Sequence, residues 1–307
     1  MLYVYSIAFI WGSGEGFFWI SLNTLNQLIT KPATRGHYLG LNGAVTNIAT
    51  ILAPLFSAQI LASHTIEIEG YYSMFRVVIV LFGVISLLSA LVKSPIKRQT
   101  FKIKQVKSDM QWNYVVRTQF LWGFRDAAVM SLTGILIYQA VENGTAYGRL
   151  LAVFALIATL SNYTIGKIVQ KNNRLRFLLV GTVGIFLSGI SLVVLPGLWG
   201  AVGHGALANL FFAFMSIPYS IIVMNIISDY METENIIGRT TCREMMTAFG
   251  RVVGLTILIL IIYFFEGISG LKIALTLIYC VNLLIGLSTW LYDKKKRPRN
   301  RSIKVRV

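Results

Sequence analysis

Nine apolar runs fill most of this chain, each about 20 residues long and so able to cross a hydrocarbon core of roughly 30 Å as helix. They lie near 3–29, 36–62, 71–92, 119–140, 147–167, 177–195, 201–227, 244–264 and 270–292. Lipid offers no hydrogen bonds to a backbone, so each run must satisfy its own amides internally, which predicts an all-α, polytopic bundle of about nine transmembrane helices. A soluble alternative fails on composition. With 55% hydrophobic and 13% charged residues and a mean hydropathy of +0.67, 307 residues cannot hide their apolar surface in a soluble core.

Charge gives the runs a direction. Twenty-three of the 28 Lys and Arg residues fall in 30–35, 93–118, 167–176, 228–243 and the tail 293–307. The alternate stretches 63–70, 141–146, 196–200 and 265–272 hold Lys272 as their only basic residue, beside Glu67, Glu69, Glu142 and Glu266. The positive-inside rule places the five basic stretches in the cytoplasm, the N-terminus outside and the C-terminus inside. A net charge of +16 would suggest nucleic acid in a soluble domain, but here it follows topology and faces anionic lipid, so no nucleic-acid partner is expected. Cys242 and Cys280, one in an expected cytoplasmic loop and one in a span, suggest no structural disulfide.

The longest polar segment divides the chain into a three-helix bundle at 1–92, a basic cytoplasmic linker at 93–118, a six-helix bundle at 119–292 and a basic tail at 293–307. Seven basic residues against Asp109 alone lay the linker along the inner leaflet as partial helix. The tail's eight basic residues are expected against anionic lipid. The two bundles echo each other: Arg35 and Arg239, each following a span with an Asn-rich end, stand 204 residues apart.

Around Arg35 the spacing is specific. Arg35-Gly36, Gly40, Gly43 and Pro54 resemble the fifth-helix motif of the major facilitator superfamily of secondary transporters, with Ala53 replacing the glycine before the proline. The loop Gly166–Arg176 resembles that family's loop between helices eight and nine, with Gln170 in the acidic place and Asn173 at the second glycine. The resemblance implies that the nine spans are helices four to twelve of twelve, the linker falling between six and seven. It further implies that the first three helices are missing from this chain, through truncation or a misplaced start.

Several residues are candidates for substrate or coupling work. Glu15 lies mid-span in GSGEGF, where an ionisable group is costly unless it meets water, a partner or substrate; it either titrates during proton-coupled transport or pairs with a basic group on an absent helix. Gly12 and Gly16 form a small-residue packing face. Arg125 and Asp126, about 100° apart on one helix, each need a separate partner and serve as gate charges or as snorkelling anchors. Pro218, beside Tyr219, kinks its span and frees carbonyls for substrate or for Ser and Thr neighbours. Arg174, Arg176, Arg239, Arg243 and Glu244 are expected in a cytoplasmic ion-pair network that includes Arg251. Asp229, Glu232 and Glu234 read as a solvated loop rather than a cation site, and His204 as an interfacial residue.

The function these readings favour is secondary active transport of a small solute by alternating access, with the lipid bilayer, a small-molecule substrate and protons as partners, in a bacterial plasma membrane. Neither a cofactor nor a metal is expected, and neither is enzyme activity: P-loop, H-E-x-x-H and paired metal carboxylates are missing from the sequence. The alternatives are a non-transporting fragment or accessory membrane subunit, and a polytopic membrane transferase.

Overall fold

The computed structural model describes residues 2–92, 108–129, isolated positions between 133 and 140, and 144–195, 197–230, 233–265 and 267–303. Among these residues the chain is all helix, as the apolar runs require. The helices are α1 (Leu2–Ile29), α2 (Arg35–Ala62), α3 (Glu67–Leu91), α4 (Met110–Ala128), α5 (Gly144–Ile168), α6 (Arg174–Val194), α7 (Gly197–Ser228), α8 (Thr233–Phe264) and α9 (Gly267–Ile303). Seven of them, α2, α3 and α5 to α9, are long and apolar enough to span a membrane. The protein is a polytopic membrane bundle.

Three boundaries move relative to the hydropathy reading, each because a helix outruns its apolar part. α4 begins at Met110, inside the segment read as linker, where the Asp109 carboxylate caps it by accepting from the Trp112 N–H at 2.7 Å. α8 begins at Thr233, so Arg239, Arg243 and Cys242 sit on helix rather than in a loop. α9 runs on to Ile303, carrying its helix into the basic tail. Hydropathy marks where lipid ends, whereas helix continues wherever side chains or solvent satisfy the next turn. Residues 93–107 of the linker expected at 93–118 lie outside the described residues.

α4, α6, α7 and α9 enclose the main core around Val115, Leu178, Ile185, Met215, Val223, Ile227 and Ile285. α7 is apolar on all sides and is the central helix: 56% of its apolar window is buried, against 0% for α3. Since lipid is as apolar as leucine, close packing and interhelical hydrogen bonds hold such a bundle. Ser161 donates to the Leu210 carbonyl at 2.6 Å, and the Tyr114 and Thr289 hydroxyls meet at 2.9 Å. α4 and α8 cross closely at Gly254, where a Cβ would stand 2.5 Å from the Phe124 carbonyl oxygen.

Among the described residues the group α1 to α3 meets the rest at one end. The buried residues of α1 (Thr24, Asn26 and Gln27) lie in its last two turns, and those of α2 (Arg35, Gly36, Gly40 and Ala44) lie in its first three. Their other halves are largely exposed. The joined end gathers Lys31, Arg35, Lys167, Lys171, Arg174, Arg239 and Arg243, and is called the basic end below.

Candidate functional site

Arg35 stands at the centre of the basic end. A turn held by the Thr34 and Arg35 amides, both donating to the Lys31 carbonyl, folds α2 back beside α1 and lays Arg35 across α1's last turn. The side chain is 1% exposed. Its Nη1 donates to Asn225 Oδ1 at 2.5 Å and its Nη2 to Ser228 Oγ at 2.6 Å, both on α7. Its Nη2 also reaches Gln27 Oε1 at 3.4 Å, and its Nε reaches Thr30 Oγ1 at 3.3 Å. One planar fork thus ties α1, α2 and α7, a task for which lysine has the wrong geometry. Beside it Asn23 Nδ2 donates to Glu244 Oε1 at 3.0 Å, joining α1 to α8, and Arg243 pairs with the same oxygen at 3.0 Å.

The glycines that follow Arg35 lie against α5. A Cβ on Gly40 would stand 2.5 Å from Gly166 Cα and 2.6 Å from the Asn162 carbonyl oxygen, closer than real Cβ atoms come. Gly36 faces the Gly166 and Val169 carbonyls, and Gly43 faces the Asn162 amide. The spacing therefore builds a backbone-to-backbone helix crossing. Pro54 lies further along α2. After α5, Asn173 closes the turn, its Oδ1 accepting from the Gln170 amide at 2.7 Å and its Nδ2 donating to the Ile168 carbonyl at 2.9 Å.

Arg239 occupies the counterpart position on α8. It is 2% exposed, and its guanidinium lies 3.3 Å from the ring centre of Tyr230 and 4.7 Å from that of Trp112. The Tyr230 hydroxyl donates to Asp109 Oδ2, so the residue that caps α4 also anchors the Arg239 cage. Burial pushes the Asp109 carboxyl up, but Tyr230, the Trp112 N–H and Arg239 outweigh it and hold it below the ordinary carboxylate range. Burial and this carboxylate raise the Tyr230 hydroxyl. Arg174 is half-buried within electrostatic reach of Asp293, whereas Arg176 is exposed.

Midway along the bundle a second constellation forms. Asp126 Oδ2 receives Arg251 Nη2 of α8 at 2.8 Å, while Arg125 Nη1 is 4.0 Å from Asp126 Oδ1. Arg125 is 5% exposed, with its guanidinium 5.2 Å from the Trp122 ring centre and 5.1 Å from that of Phe212. Trp122 in turn stacks on Tyr219 at 4.9 Å and 5°, and the Tyr219 hydroxyl donates to Thr118 Oγ1 at 3.0 Å. Pro218 is buried within α7 beside this stack.

The structure thus brings Arg125, Asp126, Pro218 and Tyr219 into one region, and Arg35, Arg243 and Glu244 into another. Glu15 joins neither, being exposed on the outer half of α1. A Cβ on Gly12 or Gly16 would meet nothing within 4 Å, so that face packs on no described residue. His204 is not interfacial but core: it is 2% exposed, with Nδ1 3.1 Å from the Ser188 carbonyl oxygen and the Tyr279 hydroxyl 3.2 Å from Nε2. Asp229 is exposed, and no cluster of three potential metal ligands occurs among the described residues. Sequence reading missed Gln27, Asn225 and Ser228 as partners of Arg35, although the Asn-rich helix ends were a signal. Nothing local marked Trp112 and Tyr230 as the cage of Arg239.

Residues 2–236 match the family described as Major Facilitator Superfamily. A Bacillus subtilis protein named uncharacterized protein YqgE is 23% identical over 289 residues, covering 89% of this chain and 64% of its own length. A Geobacillus stearothermophilus protein, described as uncharacterized and encoded in the sodM 3′ region, is 33% identical over 61 residues, 20% of this chain and 28% of that one. The chain therefore spans less than two thirds of the length of these relatives. The fold is similar to FucP in the outward conformation, with TM-score 0.62 and 14% identity, covering 87% of this chain and 71% of that one. It is similar also to the human organic anion transporter MFSD10 (TETRAN), with TM-score 0.63 and 13% identity, covering 88% and 67%.

Proposed function

The chain belongs to the Major Facilitator Superfamily, and on that footing we propose that it is a secondary transporter moving a small solute by alternating access, in a state closed at its basic end. That end faces the cytoplasm of a bacterial cell, in keeping with the positive-inside rule. Residues 1–92 and 119–292 act as two bundles that rock against each other, joined through the basic linker, and binding falls between them near the middle of the bilayer. Transport, not catalysis, is the activity.

The observation that carries this reading is the one-ended contact between α1–α3 and the other helices, latched by Arg35 across to Asn225 and Ser228. Such a latch is made in one state and broken in the other, as a rocking mechanism requires. Protons are the coupling ion, with Glu15 or Asp126 as the coupling carboxylate; E. coli FucP, which shares the fold, is a fucose:proton symporter. Uptake by vesicles under an imposed pH gradient tests it. Glu15→Gln should abolish the gradient's effect, and unchanged coupling removes Glu15 from the mechanism.

A further inference from the structure

Arg125 is an expensive residue for this fold. It is 5% exposed, and its buried Nε has no hydrogen-bond partner among the described residues. Five N–H donors in a fixed fork, which no physiological pH deprotonates, lie between two aromatic rings. Among the described residues the one carboxylate paired with it is Asp126, at 4.0 Å, and the other oxygen of that carboxylate is taken by Arg251 at 2.8 Å. Arg125, Asp126 and Arg251 together carry one positive charge in excess.

A buried polar group without partners destabilises a fold, and an apolar side chain of similar volume would serve packing as well or better. A residue that breaks this rule marks a site where an outside group completes the set. Trp122 is partly exposed and Phe212 is 37% exposed, so the guanidinium lies one ring deep beneath a partly exposed aromatic face. Tyr219, itself 2% exposed, stacks on Trp122 and holds that ring in place.

We propose that Arg125 is the anion-recognising residue of the substrate site, and that the solute is a small organic oxyanion, a carboxylate or phosphate ester carrying a flat apolar body. The oxyanion takes the guanidinium fork in bidentate fashion, and the body lies on Trp122 and Phe212. This rests on the transporter reading and adds the substrate class to it. Asp126, held by Arg251, keeps Arg125 from attracting anions so strongly that they cannot leave.

The test uses the whole purified chain and four probes that share one body: phenylacetate, phenyl phosphate, the near-isosteric neutral phenylacetamide and the cationic phenethylamine. Thermal melting should rise with phenylacetate or phenyl phosphate and stay flat with the amide and the amine. Arg125→Met should weaken the oxyanion response about tenfold or more while melting no lower than wild type in the absence of probe. Arg125→Lys should retain part of the response, because charge persists without the fork. Equal responses to acid and amide overturn the assignment, as does an oxyanion response that survives in Arg125→Met. A lower melting point of Arg125→Met with the acid response intact makes the residue a structural cation and also overturns it. Proteoliposomes separate this from the underlying reading. If the amide moves and the acid does not, transport stands and the anion site falls. If the acid binds through Arg125 and nothing crosses the bilayer, the site stands and transport falls.

Discussion

Replacing Arg35 by alanine should unlatch the basic end. Of its four hydrogen bonds, those to Thr30 and Gln27 stay within α1 and α2, whereas those to Asn225 and Ser228 cross to α7 and exist only while this end is closed. A hydrogen bond to a charged group contributes about 1.5–3 kcal/mol net. The lower figure applies here, because all four groups regain water when the end opens. Two crossing bonds then favour the closed end by about 3 kcal/mol, roughly a 100-fold bias between the two states. Asn23 to Glu244 remains as a weaker tie. Electron–electron distance measurements between labels at Ser63, the C-cap of α2, and Trp199 on α7, both exposed and both at the far end, report the other side of the rocker. In Arg35→Ala the far-end distances should shift toward shorter values, with Arg35→Lys between alanine and wild type. A far-end distribution identical in all three, with Arg35→Ala correctly folded, would refute the latch and leave Arg35 a fold anchor.

Two further outcomes follow from the packing and the caps. Gly40→Val must push α2 off α5 at a place where even a Cβ lacks room, so the variant should lose about 1–3 kcal/mol and melt lower in detergent. Gly83→Ala, where nothing lies within 4 Å, should melt no lower than wild type. For Asp109, the folded carboxyl lies below its unfolded value, so its contribution is fully present above the unfolded pKa and is lost as pH falls through the lowered folded one. Asp109→Asn keeps a competent cap while removing the titration, so it should flatten the acid limb of a melting-temperature profile, at pH values below the ordinary carboxylate range. An acid limb identical to that of wild type would dismiss the Asp109 account.

The sequence alone determined that the chain is a helical membrane bundle, because lipid solvation is a composition rule that acts on every 20-residue window independently. It also marked the small residues after Arg35 as a motif, whereas their packing on α5 was shown by the structure alone. What hydropathy could not set is where helix stops, as Met110, Thr233 and Ile303 demonstrate: helix persists past the membrane wherever a cap or solvent satisfies it. Tertiary structure alone decided partners. Arg35 finds Asn225 and Ser228 nearly 200 residues away, Arg239 finds Trp112, and Asp126 finds Arg251. A charge in a span declares in sequence that it needs company, but the company is chosen by which helices pack side by side. The same logic separates Glu15 from Arg125. Both read as costly intramembrane charges, and only assembly left one exposed on α1 and buried the other beside aromatic rings with its Nε unpartnered among the described residues.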